Sequence, residues 1–324
     1  MKISYDELSR EVMTALTSNG MPESDASAVC EEIVFAEARG KGSHGLNMLS
    51  TMIKRQAKPH SEPRILDEGS SWCFIDGGGK VGPVVARRAM DIAIKKAREN
   101  GIAVVAVKTP SPFLTAGFNA WRAAKDHGMV ALNLSVAKSK VAPHGTTVPI
   151  LGTNPIGFAF PADPYPVVLD MAITKIPAAE VKIAQAEGHK LPADVAFDSQ
   201  GKTTLDPFEA EKGALIPFGG YKGSALGVVV ELLCGALLEA KCGLRAGEMR
   251  SMLFIAIKAD LFAELGSVKK LARQLREDVA ENSGDPQKPA RLPGDAAEHM
   301  FQKALQDGLN VAEEAIVKLR GLCS

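Results

Sequence analysis

The chain has 324 residues, enough for two domains or one large one. Its 46% hydrophobic and 23% charged residues are ordinary for a globular protein in water. The 38 basic and 38 acidic residues cancel, which argues against nucleic acid or an anionic membrane as a partner.

The first 60 residues predict helices. Ser4 with Glu7 forms a capping box ahead of Leu8, Val12 and Leu16, and Gly20 is a stop. A second helix runs from about Ser24 to Arg39, ended by Gly40 and Gly42. Gly42-Ser43-His44-Gly45 is then a polar turn, and a third helix carries Met48, Leu49, Met52 and Ile53. From about residue 70 strands enter: 72–75, 102–107, 129–136, 156–160, 167–171 and 252–257, with a helix from Pro83 to Asn100 closed by Gly101. Residues 188–207 are loop-rich, an apolar helix starts near Gly223, and the last 60 or so residues are helical around the Pro-rich stretch 286–293.

This order predicts a helical unit built from both chain ends, 1–65 with 265–324, around an α/β unit at 66–264. The odd set of five scattered cysteines, with no C-x-x-C and none at metal-ligand spacing from a histidine, predicts a reducing compartment and no metal site. The N-terminus lacks a signal-peptide stretch, and the longest apolar candidate, Ala225 to Leu238, is interrupted by Glu231. Cytoplasm is the expected compartment.

Gly77-Gly78-Gly79-Lys80-Val81-Gly82 matches G-x-G-x-x-G between a strand and a helix. Its chemistry argues against a dinucleotide pyrophosphate. Asp76 would repel a phosphate, Pro83 removes an amide donor, and the strand ending at Val107-Lys108 lacks the acid that binds a ribose hydroxyl.

Four other clusters carry chemistry. Ser43-His44-Gly45 places an imidazole beside a hydroxyl, a pair able to hold and release a proton near neutral pH, although a histidine next to glycine also suits an ordinary loop. Gly152-Thr153-Asn154-Pro155 is a polar turn between strands. Asp170, in the apolar strand Val168-Leu169-Asp170-Met171-Ala172, is costly to bury alone and wants a partner, for which an imidazole is the natural choice; an Asp bonded to backbone at a strand end is the alternative. Phe218-Gly219-Gly220-Tyr221-Lys222-Gly223 ahead of a helix makes a phosphate cradle of glycines, amides and one lysine.

In this order these pieces resemble the malate/L-lactate dehydrogenase family that is distinct from the Rossmann lactate dehydrogenases. The resemblance extends through Gly188-His189-Lys190-Leu191-Pro192, Asp206-Pro207 and Arg291-Leu292-Pro293-Gly294. It implies a non-Rossmann NAD(P)-binding domain with a mixed, largely antiparallel sheet, a helical domain from both chain ends, and a homodimer. It implies an NAD or NADP cofactor and reduction of a small 2-oxo acid, with Ser43, His44 and Asp170 as the proton relay and His44 as donor. Cyclic 2-imino acids are the alternative substrate, and a catalytically weakened, repurposed binding protein is the reading of another class. The implied cofactor contacts are Pro112, Phe113, Leu114, Thr153, Val168, Leu169, Met171, Ala172, Tyr221, Lys222, Arg291, Pro293 and Gly294; Met48 and Asn154 are the implied substrate contacts.

Three departures stand out. The arginine usual four residues after the histidine, suited to a substrate carboxylate, is Met48. The family's Ser-Asn-His-Phe-Gly loop reads Pro110-Ser111-Pro112-Phe113-Leu114, and its Ala-Arg-Gly-Lys stretch reads Ile176-Pro177-Ala178-Ala179-Glu180. Met48, Phe113 and Leu114 predict a more apolar pocket.

Overall fold

The computed structural model describes residues 1–109, 111, 113–245, 250–285, 287 and 289–323. Its centre is a seven-stranded mixed sheet. From edge to edge the strands are Arg64–Glu68, Trp72–Asp76, Ile102–Thr109, Arg250–Lys258, Met129–Ser135, Ile156–Phe160 and Val167–Met171. Only Trp72–Asp76 and Ile102–Thr109 pair in parallel; every other neighbouring pair in this sheet is antiparallel. The expected mixed, largely antiparallel sheet is therefore present.

The strands run with few polar breaks because both faces of the sheet are covered. Val105, Val107, Met252 and Phe254 enter one core, shared with Leu8, Ile33, Met90, Phe118, Phe301 and Ile316. Ala106, Leu134, Ile156 and Leu253, on the opposite face, enter a second core with Ile173 and Val230. Side chains of a strand alternate sides, so each of these strands feeds both cores.

The chain ends meet. Lys2–Ile3 pairs antiparallel with Leu309–Asn310, and the Met1 ammonium donates to the Val311 carbonyl at 2.7 Å. Ser4 caps the Tyr5–Ser18 helix by accepting from the Glu7 amide at 3.1 Å, as its spacing predicts. Glu23–Ala38 follows; eleven of its sixteen residues are buried, packed against the Tyr5–Ser18, Gly82–Asn100 and Asp295–Asp307 helices.

Several elements have no counterpart in the sequence reading, among them the Arg64–Glu68 strand, the Ala116–His127, Ala178–Glu187 and Pro207–Lys212 helices, and a small sheet ordered 196–197, 214–215, 139–141, 151–152. Ala116–His127 seats directly on the main sheet. A Cβ at Gly157 would lie 1.8 Å from the Ala116 carbonyl oxygen, and Asn133 donates to that same oxygen at 2.8 Å. Only glycine permits so close an approach.

The glycine turn at 77–82 directs its amides to partners within the protein. The Gly77 amide donates to Lys108, the Gly78 amide to the Asp76 carboxylate, the Lys80 amide to Gly77 and the Gly82 amide to Ser111 Oγ. These four donors are spent within the protein.

Candidate active site

The end of the Glu23–Ala38 helix builds one wall of the site. Gly40 takes φ +74°, which lets the Lys41 amide turn back to the Ala36 carbonyl at 2.8 Å. A single 3-10 turn, Gly42–His44, follows and lifts the imidazole into a cavity. Glu37 fixes this turn from below: its carboxylate accepts from the Leu46 amide at 2.9 Å, and a Cβ at Gly45 would lie 2.2 Å from one of its oxygens. A side chain at position 45 would therefore displace the Glu37 carboxylate that holds the turn. Burial raises the Glu37 pKa, partly offset by the Leu46 amide.

Ser43 Oγ sits 3.0 Å from His44 Nδ1. That contact occupies one ring nitrogen and leaves Nε2 available. Burial lowers the His44 pKa; the Asp170 carboxylate opposes this shift and the Lys41 ammonium adds to it. The histidine is thus held between one charge that favours its protonated form and one that disfavours it.

The opposite wall is the Val167–Met171 strand and its continuation. Asp170 does take a partner, but that partner is the half-buried Lys41, not an imidazole: Nζ lies 2.5 Å from Asp170 Oδ2. A permanent ammonium outcompetes an imidazole whose charge is suppressed by burial. The expectation of a direct Asp170–imidazole pair is corrected here; Asp170 acts on His44 through space. Gly117, at the start of the Ala116–His127 helix, backs Asp170, since a Cβ there would lie 2.8 Å from the Asp170 Cβ.

The cavity has a volume of about 500 Å³. Ser43, His44, Lys41 and Asp170 line it together with Phe113, Leu114, Thr153, Met171 and Ala172. Pro177 to Ala179 form a further apolar wall. A second cavity of about 320 Å³ adjoins it, with Lys41 and Asp170 in both linings, and includes Val168, Leu169, Pro293 and Gly294. The Pro293 carbonyl accepts from the Val168 amide at 3.0 Å, which holds the C-terminal segment against the strand edge.

Other sequence-predicted residues lie elsewhere. Pro112 falls outside the described residues. Met48 packs its side chain against the larger core and does not line the cavity. Asn154, read as a substrate contact, is fully buried and turned inward. Its amide donates to Gly227 and Glu231, and its oxygen accepts from the Ala137 amide. Its φ of +37° is held by that network, so the Asn-Pro turn is a structural brace whose neighbours Thr153 and Pro155 face the cavity. Tyr221, Lys222 and Arg291 are exposed and line neither cavity.

Two site residues escaped the sequence reading. Lys41 is one, although its place between two glycines before the serine was a signal. Glu32 is the other. Wholly buried, its Oε1 accepts from the Leu114 and Thr115 amides and from the Thr115 hydroxyl, fixing the cavity-lining segment 113–115. Desolvation pushes its pKa up to about 8 despite those donors.

Comparison with known proteins places this geometry. A family model described as malate/L-lactate dehydrogenase matches residues 3–320. A Delta(1)-pyrroline-2-carboxylate/Delta(1)-piperideine-2-carboxylate reductase of Pseudomonas aeruginosa is 30% identical, covering 97% of this chain and 96% of its own. A (2R)-3-sulfolactate dehydrogenase (NADP(+)) of Chromohalobacter salexigens is 30% identical over 98% and 97% respectively. The crystal structure of malate dehydrogenase from Entamoeba histolytica superposes with a TM-score of 0.92 at 25% identity, covering 99% of this chain and 97% of that one. With a whole-length family match and a cavity built on Ser43, His44 and Asp170, this chain belongs to the malate/L-lactate dehydrogenase family.

Proposed function

We propose that this protein is an NAD(P)H-dependent reductase of small 2-oxo acids in which His44 delivers the proton. The observation that carries the reading is the convergence of the Ser43–His44 pair, Asp170 and Lys41 in one cavity with apolar walls.

The lining fits a nicotinamide cofactor. Phe113, Leu114, Met171 and Ala172 offer apolar surface for a flat ring and Thr153 a polar edge, while the adjoining cavity along Val168, Leu169, Pro293 and Gly294 extends the space. These residues would hold the cofactor, which when bound supplies the hydride. The protein's own part is proton delivery. Ser43 orients the ring by its contact with Nδ1, and Nε2 gives its proton to the developing alkoxide of the substrate. Asp170 favours the charged imidazole needed for that step, and the apolar walls keep water away and strengthen both interactions.

A cyclic 2-imino acid reductase is the second reading. Phe113 and Leu114 in the lining favour a less polar substrate. The proton relay would be the same. Turnover of pyruvate, oxaloacetate and pyrroline-2-carboxylate, each with NADH and NADPH, tests all of this. We expect reduction of the 2-oxo acids; turnover of the cyclic imine alone would favour the second reading. Failure of either cofactor to bind at millimolar concentration would favour a repurposed binding protein.

We further propose a cytoplasmic homodimer, with 1–65 and 265–324 as its helical unit and 66–264 as its α/β unit. All five cysteines are free, which suits a reducing compartment. Tyr221–Leu238 is long and apolar enough to cross a membrane by length and composition. Glu231, which interrupts its apolar run, is buried on the side facing the sheet, and Val228, Val229 and Leu232 form an exposed apolar face that a second copy would cover.

A further inference from the structure

A substrate carboxylate entering an apolar cavity needs a cation. Among the described residues lining the main cavity, Lys41 supplies the only permanent positive charge. Arg39, two residues away, is buried and committed to Glu298 and to the Gly294 carbonyl. Lys41 is different. Its side chain keeps 34% of its exposure and that of Asp170 18%, so the pair is open to a solute. An ammonium has three donors, and Asp170 takes one of those of Lys41.

We propose that Lys41 is the carboxylate-binding residue of this enzyme. The carboxylate of the 2-oxo or 2-imino acid docks on the Lys41 ammonium beside or in place of Asp170, which sets the reducible carbon next to His44. This rests on the reductase reading above. It also couples binding to protonation. A substrate carboxylate neutralises the charge that disfavours imidazolium, and it leaves Asp170 free to favour it. The enzyme's proton donor would then charge when substrate arrives. A lysine binds as a point charge, with less geometric selection than the arginine fork, so the site should accept carboxylates in more than one orientation.

The test compares kcat/KM for pyruvate (or pyrroline-2-carboxylate, if that is the better substrate) with that for its uncharged ethyl ester. In Lys41→Met the acid-to-ester ratio should fall about 10- to 100-fold, the loss of one charge-assisted hydrogen bond, and Lys41→Arg should restore it. Disturbance of Asp170 alone would slow acid and ester alike and leave the ratio unchanged, which would overturn the proposal. Lys41→Gln, which keeps a hydrogen bond for Asp170 without the charge, gives the same readout if the methionine variant folds poorly. Calorimetric titration of the cofactor-loaded enzyme with oxamate adds a measurement independent of turnover. Wild type should bind and Lys41→Gln should bind at least about 10-fold more weakly; equal binding, or none to wild type, refutes the Lys41 site. Oxamate binding through Lys41 with no turnover of any 2-oxo or 2-imino acid would refute the reductase reading and leave the site standing.

Discussion

At Glu32 a carboxyl group with no exposed surface holds the segment that closes the cavity. One oxygen accepts three hydrogen bonds from Leu114 and Thr115, while the other has no partner among the described residues. Burial outweighs those donors and places its pKa at about 8, above the carboxylate's ordinary 4.5. Between those two values the unfolded chain has released a proton that the folded chain retains. Folding is therefore favoured at low pH, and this contribution is lost as pH rises toward 8. Glu32→Gln cannot ionise, so its melting temperature relative to wild type should rise between pH 5 and pH 9. A difference that stays constant across that range would show that Glu32 is ionised in the fold throughout. Little of this was legible in the sequence, because Glu31-Glu32 reads as two surface acids of a helix. Lys41 escaped for another reason: its partner Asp170 lies 129 positions away, and spacing cannot pair side chains across such a distance. His44 was legible because the local tripeptide Ser43-His44-Gly45 already holds the chemistry.

At the scale of elements, the turn at residues 152–155 shows how a polar motif can brace a site without touching substrate. Glu231, buried in the Tyr221–Cys234 helix, accepts from Asn154 Nδ2 and the Gly243 amide, both at 3.0 Å, and from the Gly152 amide at 3.4 Å. It joins a helix, a strand end and a loop. Glu231→Ala should cost about 3 kcal/mol in urea unfolding, because it strands buried donors. It should also loosen the Thr153–Pro155 wall of the cavity. A loss under about 0.5 kcal/mol would mean that water replaces the carboxylate without penalty. Strands such as 102–109 and helices such as 82–100 were legible from uninterrupted or periodic apolar residues. The Ala116–His127 helix was not, because eight of its twelve residues are buried and its exposed polar residues, Lys125 and Asp126, stand only in its last turn. The two- and three-residue strands of the small sheet lack enough length to show alternation.

At the scale of the molecule, the helical ends and the sheet share one core, and the active-site cavity lies where they meet. His44 comes from the N-terminal helices, Asp170 from an edge strand, and Pro293–Gly294 from the C-terminal part. The site therefore exists only when the chain ends have closed on the sheet. Arg276 secures this closure from the Leu265–Glu281 helix. It donates to the Asp163 and Tyr165 carbonyls at 2.6 and 2.9 Å and pairs with Asp295. The apolar face of the Tyr221–Cys234 helix belongs to the same scale. Leu232→Asp should convert the proposed dimer to monomer in sedimentation velocity; an unchanged sedimentation coefficient would place the interface elsewhere or remove it.

The central claim is that His44 supplies the proton, and single-turnover reduction of the preferred substrate by His44→Ala tests it most directly. The expected result is a reduction rate lower by about 100-fold or more, with NAD(P)H affinity measured by nicotinamide fluorescence unchanged. Near wild-type reduction in that variant would contradict the account.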